Sequence, residues 1–171
     1  MKSVFPQVAA LFLLCFLSSC SVDSIENETD GLSISNTEHS NVKVVVSYTS
    51  IEKEIQERIN QFRSNLGLSV LVLQDVITEK ADEHSDTMIK DGAASHKNFG
   101  ARATYIKNTL GADDVAENVG ANYNSAQGVV TAWINSDSHR TVLEDDFTHI
   151  GISAKKDTNG KYYYTTIFSK L

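Results

Sequence analysis

The chain has 171 residues, with 22 acidic against 15 basic side chains and a formal net charge of −7. No Lys/Arg cluster interrupts that acidic background, which argues against nucleic acid and anionic lipid headgroups as partners. Both cysteines, Cys15 and Cys20, lie near the N-terminus, so an exported domain built from the remainder must stand on its core without an internal disulfide.

Lys2 precedes an almost uninterrupted apolar run from Val8 to Leu17, followed by Ser18, Ser19 and Cys20. This is the layout of a secretory signal, and the run is too short to span a bilayer. Its ending, LSSC, resembles the lipobox of bacterial lipoproteins, in which the peptide is cut before the cysteine and the sulfur is acylated. That resemblance implies a signal peptide over residues 1–19 and a membrane anchor through lipid on Cys20. Ser21 resembles the sorting signal that sends Gram-negative lipoproteins to the outer membrane. The acids after it resemble the surface-export signal of Bacteroidetes lipoproteins, which adds exposure at the cell surface as an expectation. Residues 20–42 carry five acidic and no basic side chains among Ser and Asn, which suits a solvated tether. Residues 43–171 are enough for one domain and too few for two.

Thr49 with Glu52 forms a capping-box pattern, and Ile51, Ile55, Ile59, Phe62 and Leu66 share one helical face up to Gly67. LSVLVL is a short extended segment. Asp75 opens a second helix with Ile77, Ala81, His84 and Met88 on its apolar face, ending at Gly92. His84 in such a stripe reads as a packed core histidine rather than a ligand. ATYIKNTL is a short helical piece closed by Gly111, and VAENVGA is a strand or extended segment. Asn124 with Gln127 caps the next helix, which buries Val130, Trp133 and Ile134. FTHIGISAKK and KYYYTTIF are strands joined through Asn159-Gly160, a hairpin turn in which both residues accept positive φ. Helices first and an antiparallel hairpin last predict an α+β sandwich with helices on both faces of the sheet.

No short catalytic motif is present: no HExxH, phosphate-binding glycine loop, G-x-S-x-G or CxxC. The remaining chemistry lies in His96 of SHKNF, Glu117 of AEN and His139 of SHR, separated by 21 and 22 residues. Brought together, two imidazoles and a carboxylate would suit a divalent ion such as zinc with open coordination positions. The same three would suit acid–base catalysis, with a carboxylate orienting a histidine that titrates near neutrality. A third reading makes them a satisfied polar network in a structural or adhesive module.

Taken in order, INQFR, ITEKADEHSDTM, SHKNFGAR, AENVG, the tryptophan run WINSDSHR, FTHIGIS and KYYYTTIF resemble the bacterial extracellular branch of the CAP superfamily. That superfamily holds cysteine-rich secretory proteins, antigen five and the pathogenesis-related proteins. The likeness covers roughly residues 50 to 169 and makes 43–171 the CAP domain. It implies a three-layer α-β-α sandwich with an antiparallel sheet and a large cleft where two histidines and acidic residues meet. Carried over, His96 matches the first cleft histidine, Glu117 the acid of the Gly/Ala-Glu-Asn motif, and His139 the second histidine. By that resemblance they are expected to form a cleft triad with catalytic or metal-binding capacity. Arg102 is expected to pair with an acid and hold its loop, and Asn118 to pin backbone. Many eukaryotic members place a second glutamate where this chain has Ser136, so the acidic set is reduced. The resemblance implies a lipid-anchored envelope protein whose cleft takes a small-molecule, lipid or envelope ligand, with a metal-assisted or Glu-based hydrolase of peptide or cell-wall material as the alternative.

Overall fold

The structure is a computed structural model that describes residues 46–171. The signal peptide, Cys20 and the acidic tether, expected over residues 1–42, lie outside the described residues.

The first helix, α1 (Ser50–Asn65), is closed at both ends by its own sequence. Thr49 accepts the Glu52 amide while the Glu52 carboxylate takes the Thr49 N–H, a complete capping box. At the far end the Leu68 N–H reaches the Arg63 carbonyl and the Gly67 N–H reaches Ser64, with Gly67 at φ +75°. That is a Schellman stop. Leu66 lies beyond the helix and is 51% exposed, so the expected stripe ends at Phe62 and its last buried member is Arg63.

A two-residue strand β1 (Val72–Leu73) leads into α2 (Asp75–Asp91), which ends at Gly92 with φ +70°. Its buried face is Ile77, Thr78, Ala81, His84, Ser85 and Met88, matching the predicted stripe. Next come α3 (Phe99–Leu110), β2 (Asp114–Ala121) and α4 (Ala126–Ile134). The α4 cap is Ser125 rather than Asn124: its hydroxyl accepts the Gly128 N–H, and Ala126, Val129, Val130 and Trp133 are buried while Ile134 is only partly so. A further helix, α5 (Asp137–Glu144), precedes β3 (His149–Lys156) and β4 (Tyr162–Lys170).

The sheet runs β1-β3-β4-β2. The three long strands are antiparallel, and β1 joins β3 in parallel over two residues. At the hairpin only Gly160 has positive φ; Asn159 does not. The turn is instead organised by Asp157, whose carboxylate accepts the Asn159 and Lys161 amides. Gly160 in the left-handed region after a type I-like turn is the three-residue alternative to the expected two-residue form.

Side chains alternate across the sheet and so make two cores. Ile150, Ile152, Tyr164 and Phe168 meet Ile55, Ile59, Val130 and Trp133 of α1 and α4. On the opposite face Val115 and Ile167 meet Ile77, Ala81 and Ile106 of α2 and α3. The result is an α-β-α sandwich. Helix α2 lies so close to the sheet that a Cβ on Gly151 would stand 2.4 Å from the Ile77 and Thr78 backbone. Among the described residues no helix is long and apolar enough to cross a membrane.

Candidate functional site

The site is assembled around β2, an edge strand of the sheet. Glu117 points to the α2/α3 face and is almost fully buried, its side chain 1% exposed. A buried carboxylate needs partners, and Glu117 has them. Arg102 of α3 donates Nε to Oε2 at 2.9 Å and Nη2 to both oxygens at 2.9 and 2.8 Å. His96 Nδ1 lies 2.9 Å from Oε1. A carboxylate paired to a guanidinium only accepts, so the His96 Nδ1 is the donor and carries a proton. Half of the His96 side chain, 51%, remains exposed.

His96 stands in the loop between α2 and α3, and that loop is pinned residue by residue. Ser95 gives its carbonyl to His84 Nε2 at 2.6 Å and its amide to the Met88 sulfur. Lys97 gives its carbonyl to Arg102 Nη1 and its ammonium to Asp91. Asn98 then takes φ +59° to start α3. Arg102 thus fixes both the carboxylate and the loop that carries the imidazole. His84, a core residue by its position on the helix, is also a support of this loop and lies 3.9 Å from Glu117. Its Nδ1 is buried with no hydrogen-bond partner. Burial lowers the His84 pKa below its ordinary value, against the opposing pull of the Ser95 carbonyl and Glu117.

His139 arrives from the other side of β2. It sits in the first turn of α5, where Asn118, whose side chain faces away from Glu117, holds the His139 carbonyl through Nδ2 at 3.0 Å. The ring Nδ1 meets the Ser136 hydroxyl at 2.9 Å. Ser136 therefore orients the histidine that follows it. The His139 pKa is lowered, first by burial and then by the nearby charge of His96. Arg140 turns outward to Asp137.

His96 and Glu117 are thus in direct contact, and His139 stands within electrostatic reach of His96. No hydrogen bond or ion pair joins His139 to Glu117 among the described residues. A cavity of about 540 Å³ opens nearby, lined by Gly92, Ala93 and Ala94, by the Val119–Ala121 end of β2 with Asn122 and Tyr123 beyond it, and by Trp133, Ser136 and His139. His139 lines it, whereas His96 does not, and Glu117 is sealed behind Arg102 and His96. The buried Trp133 closes the inner wall and donates Nε1 to the Val119 carbonyl at 3.0 Å.

The donor set bears on the metal expected at His96, Glu117 and His139. Both Glu117 oxygens are already engaged by Arg102, whose charge would also repel a cation. Among the described residues no three His, Cys, Asp or Glu side chains are grouped as a metal ion requires. The three-ligand centre does not fit. The nitrogens free to face a ligand are the Nε2 atoms of His96 and His139, with Glu117 behind His96 as an orienting carboxylate.

Two supports escaped the sequence. His84 was legible only as core, and nothing local marks Ser95 as its partner. Arg63 was hidden in the first helix. It is 1% exposed and donates to the carbonyls of Ser69, Leu143, Asp145 and Phe147, tying α1 to the segment between α5 and β3.

A family model described as CAP, the cysteine-rich secretory protein family, matches residues 56–168. The uncharacterized membrane protein YlbC of Bacillus subtilis is 30% identical over 126 residues, 71% of this chain and 35% of that protein. The uncharacterized protein YkwD of the same organism is 28% identical over 110 residues, 62% of this chain and 43% of that protein. The chain thus spans less than half the length of these curated relatives. Among solved structures, an outer surface protein from Borrelia burgdorferi superposes with a TM-score of 0.65 at 24% identity, covering 73% of this chain and 96% of that one. An extracellular protein containing an SCP domain from Bacillus anthracis gives 0.61 at 24% identity, covering 70% of this chain and 40% of that one. At such identities the superpositions speak for the fold.

Proposed function

The chain belongs to the CAP, or cysteine-rich secretory protein, family, and on that premise we propose that it is an exported, lipid-anchored envelope protein whose cleft binds a ligand between His96 and His139. The signal-like N-terminus and Cys20 support the export and the anchor, which would place the domain at the outer membrane on an acidic tether. The printed descriptions of its structural neighbours, outer surface and extracellular proteins, are in keeping with that location.

One observation carries the binding reading: the Glu117 carboxylate spends its oxygens on Arg102 and His96, so it orients an imidazole instead of acting itself. A general base must reach the proton it removes. Glu117 lies behind two side chains, and this speaks against the hydrolase reading in which it is the base.

The test compares native mass spectra of protein purified from the cell envelope, as wild type and as a His96→Ala, His139→Ala double variant. A mass bound to the wild type and lost in the variant is the expected result. Identical spectra with no retained ligand in either would remove the binding reading. A Cys20→Ala variant that still fractionates with membranes would remove the anchor.

A further inference from the structure

Resting on the reading of the cleft as a ligand site, we propose that its ligand is an extended peptide that adds as a strand to the free edge of β2. The Asn122 N–H donates to the Tyr162 carbonyl, which sets the phase of the β2/β4 ladder. In an antiparallel pair hydrogen-bonded residues alternate. Gly120 and Asn118 therefore turn their backbone groups to β4, and Val119 and Ala121 turn theirs to the open edge. Trp133 agrees with that phase by donating to the Val119 carbonyl from the open side.

Three outward groups are left: the Val119 N–H and both the N–H and carbonyl of Ala121. None has a hydrogen-bonding partner among the described residues, and both residues line the cavity. A strand edge whose polar groups are unpaired is a template for another backbone. The ladder ends just beyond, where Asn122 takes φ +70°.

Gly92, Ala93 and Ala94 also line the cavity, and none has a side chain larger than a methyl group. Neighbouring strands lie about 4.8 Å apart, and four residues of extended chain span roughly 13 Å. A peptide paired with Ala121 would exchange two hydrogen bonds there and accept a third from Val119. Its side chains would alternate above and below the sheet, one set passing the rim where His139 stands. A sugar or an acyl chain lacks donors and acceptors at this repeat, whereas every peptide carries them.

The probe is a set of acetyl- and amide-capped pentapeptides rich in Val, Thr and Ser, added to the intact domain. Binding is followed by amide shifts and hydrogen exchange at Val119 and Ala121, with His139 shifts reporting occupancy of the cleft by anything. Protection of both amides is expected, with binding weakened about tenfold or more when alternate peptide nitrogens are methylated, the scale of a lost hydrogen bond. An Ala121→Pro variant removes one outward donor while sparing the β2/β4 ladder, and proline is tolerated on such an edge. It should lose a similar factor with little change in melting temperature. If Ala121→Pro fails to fold, the methylated peptides decide alone. Peptides that bind equally well after methylation overturn strand addition and leave the cleft a ligand site. Absence of peptide binding, alongside a retained histidine-dependent mass in the envelope-purified protein, overturns the peptide and spares the site. Absence of both overturns both.

Discussion

Arg102 grips Glu117 through both carboxylate oxygens at 2.8 to 2.9 Å, and this pair is nearly buried, with side chains 10% and 1% exposed. Removing one partner of a buried pair strands the other's charge, at about 3 to 5 kcal/mol. Arg102→Ala should therefore lose that order of stability in urea unfolding. Arg102→Lys should recover only part, because an ammonium cannot reproduce the fork or reach the Lys97 carbonyl at the same time. Equal stability of all three proteins would contradict the pairing.

Acidification should weaken the fold in a defined window. The pKa values of His84 and His139 are both lowered in the folded chain, His84 by burial and His139 by burial together with the His96 charge. A lowered base binds fewer protons folded than unfolded, so its contribution is fully present above the unfolded value of about 6.5 and is lost as pH falls below it. Urea midpoints should hold from pH 8 to 7 and decline from about 6.5 downward. His84→Gln, which keeps a donor for Ser95, should flatten part of that decline. A midpoint that rises on acidification through this window would contradict the assignment.

Arg63→Met keeps the length and apolar stem of the side chain and removes the guanidinium. The carbonyls of Leu143 and Phe147 then lose the donor that Arg63 supplies, while that of Asp145 keeps the Phe147 N–H. Each unsatisfied buried acceptor costs about 1 to 3 kcal/mol, so a combined loss near 3 kcal/mol is expected, read as a fall in melting temperature. The loosened segment should show as faster hydrogen exchange between α5 and β3. Unchanged exchange there would contradict the role.

Gly151→Ala places a methyl 2.4 Å from the Ile77 carbonyl carbon and the Thr78 nitrogen. Backbone in the first turn of a packed helix cannot swing aside as a side-chain tip can. Overpacking of this kind costs about 1 to 3 kcal/mol. Calorimetry should register the loss, and the shift of α2 should carry His84 and its loop with it. A neutral substitution would mean that α2 is free to move off the sheet.

What was legible in the chain follows the range of the forces involved. The capping box at Thr49, the Gly67 stop and the α2 stripe are local patterns, and the structure has them. Leu66 fell off its stripe because the Schellman stop turns the chain one residue earlier than the periodicity implies. Ser125 displaced Asn124 as a cap because either side chain can accept, and only the backbone direction selects between them. At the hairpin, Asp157 supplied the acceptor that the Asn-Gly pair alone did not require. Helix α5 is short and marked only by Asp137 in its first turn, so the sequence showed no element between the helix that buries Trp133 and the strand FTHIGISAKK. The Glu117 environment was the least legible part. Its partners come from α2, α3 and the loop between them, and only the family resemblance put His96 beside it.

The account turns on Glu117 acting as a support that fixes the His96 ring through Nδ1 and leaves Nε2 unpaired. Long-range proton–nitrogen correlation of the histidine side chains at pH 7.5 tests this directly. The prediction is a His96 ring with its proton on Nδ1, a bare Nε2, and a shift toward the mixture of tautomers of a free imidazole in Glu117→Gln. A wild-type His96 already in that mixture, or protonated on Nε2, would contradict it.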